Sequence, residues 1–159
     1  DVPAVADVAR SVVLEVTRSA CIVDGEDASA AIRGAEVTTA VTAVAANPEV
    51  RVEMVARQRA WVAEHGGGVM EGRDIGSVVF PDAELKAHLV ASPEVRARRR
   101  AAETPGLDVV VVAADIRRRD VADSSRAASP LVEASGAEVI DTSDMAIPEI
   151  VDAIVGMLS

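Results

Sequence analysis

The stretch VMEGRDIGSVVFPDAELK, residues 69–86, sets an unlike-charged pair, Arg73 and Asp74, between two glycines, Gly72 and Gly76. A short apolar run leads into the first glycine and a second follows the pair. Val69–Glu71 reads as a buried strand and Leu85–Ala91 as another. The charged pair would then stand at the carboxyl end of a strand, which is where open α/β sheets bind ligands. Gly72 and Gly76 would leave room for a ligand to approach the backbone. An arginine in that place can fork onto a phosphate, and an aspartate can accept from an exocyclic amino group. The same residues suit a surface loop with a local ion pair equally well.

Working outward, the chain alternates strand and helix signals. Ser11–Val16 and Ala20–Val23 read as two short strands around TRS, with DGED turning out of the second. Residues 28–65 read as helical, broken at NPEVR, where Asn47 predicts an N-cap and Pro48 the first helical residue. Val52, Val55, Arg59 and Val62 recur at helical spacing, with Trp61 at the edge of that helix. Gly66–Gly68 reads as a loop; it precedes an apolar run and not a helix, so it lacks the setting of a phosphate cradle. Ser92 and Pro93 open a further helix through VRARRRAAE. The segment LDVVVVAADIRRRDVADSSR is ambiguous, since its valines suggest a strand and its second half a helix. Ala137–Ser143 reads as a strand. The final segment is an amphipathic helix with Ile147, Ile150, Ile154 and Met157 on one face. Strands alternating with helices predict an α/β fold with a mostly parallel sheet.

Composition narrows the function classes. The 159 residues suit one domain with a real core, and half of them are hydrophobic without a run long enough to span a bilayer. The net charge of −10 argues against a nucleic acid or an anionic membrane as partner. Trp61 and Phe80 are the only aromatic residues, too few for a stacking platform. The single cysteine, Cys21, excludes an internal disulfide framework and reads as a buried inert thiol in a reducing compartment, so a cytoplasmic location is expected. The chain opens at Asp1 and reads as a piece of a longer protein.

The arginines are concentrated within this acidic chain. Arg119, Asp123 and Arg126 are spaced i, i+4, i+7 and would share one helix face. Arg96, Arg99 and Arg100 would do so on the preceding helix. With Arg73 they suggest a polyphosphate ligand, although solvated helix faces with local salt bridges produce the same pattern.

Three segments, AEVTTAVTAVAANPEVR, EGRDIGSVVFPDAELK and RRRDVADSSRAASPL, together resemble bacterial cytidylate kinase, in the same order and over most of the chain. The resemblance implies a P-loop nucleoside monophosphate kinase fold, a parallel sheet with flanking helices. It implies transfer of the γ-phosphoryl group of ATP to CMP or dCMP, with Mg²⁺, in a protein that is a monomer when complete. By motif, Asp74 and Arg51 would contact the cytosine ring, with Thr42 where the family has a small hydroxyl residue. Arg73 and Arg126 would hold the CMP phosphate, and Arg119 and Asp123 the ribose hydroxyls. Arg96, Arg99 and Arg100 fall where the family's lid begins, facing the ATP phosphates. Residues 1–65 would form an abbreviated CMP-binding insertion and residues 66–159 the core, with the lid near 96–118. The resemblance also predicts a helix from about Val110 to Asp123.

One departure stands out. The chain contains no G-x-x-x-x-G-K-[ST] sequence, the loop that cradles the ATP phosphates. The expectation is therefore that the first, central strand of the sheet and its loop are missing from this chain, and that the isolated chain is inactive. A non-catalytic nucleotide-binding module, or a related kinase with another base preference, is the alternative.

Overall fold

The computed structural model describes residues 2–17, 19–103, 108–125 and 132–158. They form two compact units, Asp1–Gly68 and Val69–Ser159.

In the first unit, helix α1 (Val2–Ser11) precedes three short antiparallel strands, β1 (Leu14–Val16), β2 (Cys21–Val23) and β3 (Glu26–Asp27). Leu14 pairs with Val23 and Val16 with Cys21, so the two strands expected here do form, although the first begins three residues late. Ser11 instead ends α1, an element that no sequence signal had suggested. The DG turn works as read: Asp24 and Gly25 take φ of 50° and 85°, the doubly left-handed turn that matches the twist of a two-residue hairpin. Helix α2 (Ala35–Ala45) leads to α3 (Pro48–His65). Asn47 caps α3, its side chain accepting from the backbone N–H groups of Glu49 at 3.0 Å and Val50 at 3.4 Å. Gly66, with φ of 69°, ends the helix in the left-handed conformation. Arg57 on α3 reaches back to α1, donating to the carbonyls of Val12 at 2.7 Å and Arg10 at 3.1 Å. Those are orphan acceptors just where a helix runs out of N–H partners.

The second unit corrects one expectation at once. No strand forms at Val69–Glu71, and Val69 is 97 % exposed. A strand exists only where a neighbour supplies hydrogen bonds, and among the described residues none runs beside this segment. The parallel sheet consists instead of β4 (Ala87–Val90) and β5 (Glu138–Asp141), paired Ala87 to Glu138 through Val90 to Asp141. Helices α4 (Pro93–Glu103) and α5 (Val109–Ser124) pack on each other, and α6 (Ile147–Gly156) closes the unit. Ser92 caps α4 through its hydroxyl, 3.3 Å from the N–H of Val95.

The ambiguous valine-rich segment is helical, as the family resemblance predicted. Asp108 starts α5 by accepting from Val110 N–H at 2.6 Å, and Val112 is buried. A cap and a packed face outweigh the modest helix aversion of valine. The core of this unit is small, with Val79, Ala97, Val112 and Ile140 buried. The apolar face expected on α6 is only partly covered: Ile150 and Ile154 are half-buried, whereas Ile147 and Met157 are exposed.

Candidate functional site

Arg73 and Asp74 enter a wide turn, Ile75–Val79, that replaces the strand end expected there. The Asp74 carbonyl accepts from Val78 N–H at 2.9 Å and Val79 N–H at 3.2 Å, and Ile75 O accepts from Phe80 N–H at 2.7 Å. The bonds from Val79 and Phe80 each span five residues and widen the helical turn, a feature often found at functional sites. The turn buries Val79 and leaves Asp74 only 8 % exposed. The glycines serve packing here and do not clear a path to the backbone. A Cβ at Gly72 would lie 2.8 Å from the Ile75 side chain, and one at Gly76 would lie 3.2 Å from both Lys86 and Ala134. Lys86 fastens the same corner, its Nζ donating to the carbonyls of Pro81 and Ser135.

Arg73 points away from this corner into a clasp made by α5. Its Nη1 donates to Asp120 Oδ1 at 2.8 Å, and its Nε stands 2.8 Å from Asp123 Oδ2. The second oxygen of Asp120 accepts from Arg96 Nη2 of α4 at 2.7 Å. Arg119, one turn before Asp123, has its Nε 3.8 Å from the same Oδ2. Asp123 is 1 % exposed, so this carboxylate is spent on holding guanidinium groups.

The charges perturb one another. Burial alone would push the Asp120 carboxyl up, but hydrogen bonds from Arg73 and Arg96 outweigh it and hold the group below its ordinary value. Burial, and then the like charges of Arg73 and Arg100, lower the pKa of Arg119. The guanidinium groups are therefore crowded, with two aspartates offsetting part of the charge.

Around this clasp lies an open cleft of about 350 Å³, lined by Arg73, Arg96, Arg99, Arg100, Ile116 and Arg119. The arginines that the sequence divided among an acceptor phosphate, a ribose and a lid thus face a single space. Five fixed cations in an acidic chain suit an anion carrying several negative charges. Arg99 is also committed elsewhere. It donates to Thr142 Oγ1 at 3.0 Å and to the carbonyls of Thr142 and Met145, tying α4 to the segment after β5.

Thr42 in α2 and Arg51 in the first turn of α3 belong to the first unit, both half-buried, with Arg51 Nε shielded from solvent. Arg126 lies outside the described residues. Asp120 is the residue that sequence reasoning missed. It sits one position from Arg119, off the i, i+4, i+7 pattern, and only its place in the RRRD run marked it. Among the described residues no three His, Cys, Asp or Glu side chains converge as metal ligands.

The sequence matches the family model for cytidylate kinase over residues 1–159. It is 47 % identical to a cytidylate kinase of Streptomyces griseus over 137 residues, 86 % of this chain and 59 % of that protein. It is 46 % identical to one from Nocardia farcinica over 153 residues, 94 % of this chain and 66 % of the relative. With one from Mycobacterium leprae the identity is 52 % over 131 residues, 80 % of this chain and 59 % of the relative. The chain thus spans about six tenths of the length of the curated relatives it matches. The match over every residue, with a parallel strand pair flanked by helices, shows that the chain belongs to the cytidylate kinase family, an α/β fold of the P-loop nucleoside monophosphate kinase type.

Proposed function

We propose that, joined to a P-loop segment, this chain serves ATP-dependent phosphorylation of CMP or dCMP, supplying the nucleoside monophosphate site and the lid. The observation that carries the reading is the cleft lined by Arg73, Arg96, Arg99, Arg100 and Arg119. In the reaction an oxygen of the CMP phosphate attacks the γ-phosphorus of ATP as the bond to the leaving ADP oxygen breaks. Such a transition state spreads charge over the transferred oxygens, and catalysis is mostly positioning and electrostatic stabilisation.

In this assignment Arg73 and Arg126 hold the acceptor phosphate, and Arg96 and Arg100 of α4 face the donor phosphates, with Arg99 anchoring their helix. Arg119 and Asp123 take the ribose hydroxyls, which requires the buried Asp123 carboxylate to open toward the cleft. Asp74 reads the C4 amino group of cytosine, with Arg51 and Thr42 completing the base site. Magnesium would accompany the nucleotides. The reading extends to a cytoplasmic protein, monomeric when complete, that acts on free nucleotides. Among the described residues no helix is long and apolar enough to cross a membrane.

The test joins this chain to the P-loop segment of a relative and compares kcat/KM for CMP and UMP. Phosphorylation favouring CMP is expected. Asp74→Asn should narrow the preference, because an amide can present a donor to the C4 oxygen of uracil. Arg73→Ala should weaken both substrates alike, since a phosphate contact carries no base information. An unchanged CMP-to-UMP ratio in Asp74→Asn overturns the base assignment. A nucleotide-binding module without phosphoryl transfer would instead bind nucleotides in the joined protein and show no turnover.

A further inference from the structure

We infer that Asp120 is a positioning residue: a single carboxylate that holds Arg73, just before the 75–79 turn, and Arg96 of α4 in one fixed arrangement, so that both guanidinium groups meet a polyanion together. It rests on the nucleotide-site reading above only for the identity of that anion.

The geometry is specific. The two oxygens of Asp120 are divided between two arginines, Oδ1 to Arg73 Nη1 at 2.8 Å and Oδ2 to Arg96 Nη2 at 2.7 Å. The three side chains are half-buried, with 26 % of the Asp120 side chain exposed against 31 % for Arg73 and 37 % for Arg96. A guanidinium has five N–H donors in a rigid fork. The hydrogen bond to Asp120 uses Nη1 of Arg73, whose Nε stands in an ion pair with Asp123, and the other uses Nη2 of Arg96, so each guanidinium keeps further N–H groups for a ligand. Arginine side chains otherwise lose considerable rotamer freedom on binding. Held in advance, they lose less, and a ligand that must be gripped from two elements gains most. The arrangement also overcomes the mutual repulsion of Arg73 and Arg96, which face the same cleft.

A positioning role and a simple counter-charge role make opposite predictions. A carboxylate that merely neutralises arginines competes with an anionic ligand, so removing its charge tightens anion binding. A carboxylate that positions them supports the ligand, so removing it weakens binding. The probe is inorganic tripolyphosphate, titrated calorimetrically into the full 159-residue chain and into Asp120→Asn and Asp120→Glu, with CMP and cytidine in parallel. Asp120→Asn should bind tripolyphosphate about tenfold more weakly or worse, the scale of a hydrogen bond to a charged group. Asp120→Glu, which keeps the charge but displaces it by a methylene, should fall between the two. Thermal melts of each variant separate this from a purely structural role, which lowers the melting temperature and leaves the affinity of the folded protein unchanged. Should Asp120→Asn fail to fold, Asp120→Glu decides the matter: affinity equal to that of the parent overturns the inference. Equal or tighter binding by Asp120→Asn overturns it too, as does a parent chain that binds no tripolyphosphate. A parent that binds tripolyphosphate with the expected variant losses, yet binds CMP no better than cytidine, leaves this inference standing and removes the kinase reading.

Discussion

Arg99 donates through Nη1 to the hydroxyl of Thr142 at 3.0 Å, and that hydroxyl in turn donates to the carbonyl of Val90 at 3.0 Å. One threonine side chain therefore connects helix α4 to the ends of both parallel strands. Thr142 is 4 % exposed, so these bonds are sheltered from water. Arg99→Ala should destabilise the chain by about 1–2 kcal/mol, because it strips donors from a buried hydroxyl and two carbonyls. Denaturant unfolding measures this. An unchanged midpoint would return Arg99 to the purely ligand-facing role that its spacing suggested.

Asn47 is a second local device with a measurable weight. Its side chain accepts two backbone N–H groups at the start of α3 and is nearly buried. Asn47→Ala should cost about 1 kcal/mol, within the range of roughly 0.5–2 kcal/mol for lost N-caps, with Asn47→Asp retaining most of it. Equal stability of the alanine variant and the parent would contradict the capping geometry.

The Asp120 clasp should also appear in the pH dependence of stability. Its carboxyl is held below the ordinary value of 3.8 by Arg73 and Arg96. A group depressed on folding stabilises the native state in full above its unfolded value, and that contribution is lost as pH falls through the lower folded value. The stability gap between the parent and Asp120→Asn should therefore be constant near neutrality and shrink as pH drops below about 4. Equilibrium unfolding at pH 7 and in the acid range tests it, and a gap that widens with acid would sink the idea.

The 159-residue chain by itself should show no ATP-dependent phosphorylation of CMP. Its sequence has no G-x-x-x-x-G-K-[ST] loop, and the arginine cleft cannot replace the lysine, backbone cradle and metal-bound hydroxyl that such a loop brings. A coupled assay on purified chain checks this. Turnover in the ~1–100 s⁻¹ range usual for kinases would show that the chain contains a donor site of another kind.

The parts of the fold that could be read in advance share a cause. The Asn47–Pro48 helix start, the Ser92 cap and the Asp24–Gly25 turn all depend on bonds within a few residues. The failures share one too. Val69–Glu71 has the composition of a strand, but a strand depends on a neighbour that local sequence does not specify, and the segment joins no sheet, with Val69 exposed. The valines of α5 pointed toward a strand until a cap and a packed face made them helical. Gly72 and Gly76 looked like ligand clearance because the side chains filling that space, Ile75, Lys86 and Ala134, could not be placed without the turn.

The candidate site divides in the same way. Sequence by itself determined that Arg119 and Asp123 share a helix face and that Arg96, Arg99 and Arg100 cluster on another, since helical spacing sets both. Only the tertiary structure decided that Arg73, Arg96 and Asp120 meet. Arg73 and Arg96 lie 47 and 24 residues from Asp120. Hydrogen bonds of 2.8 Å and 2.7 Å tolerate only a few tenths of an ångström of error. That precision comes from the packing of α4 on α5 and the burial of Val79 beneath the 75–79 turn. These contacts form between distant segments and leave no local periodicity to be read.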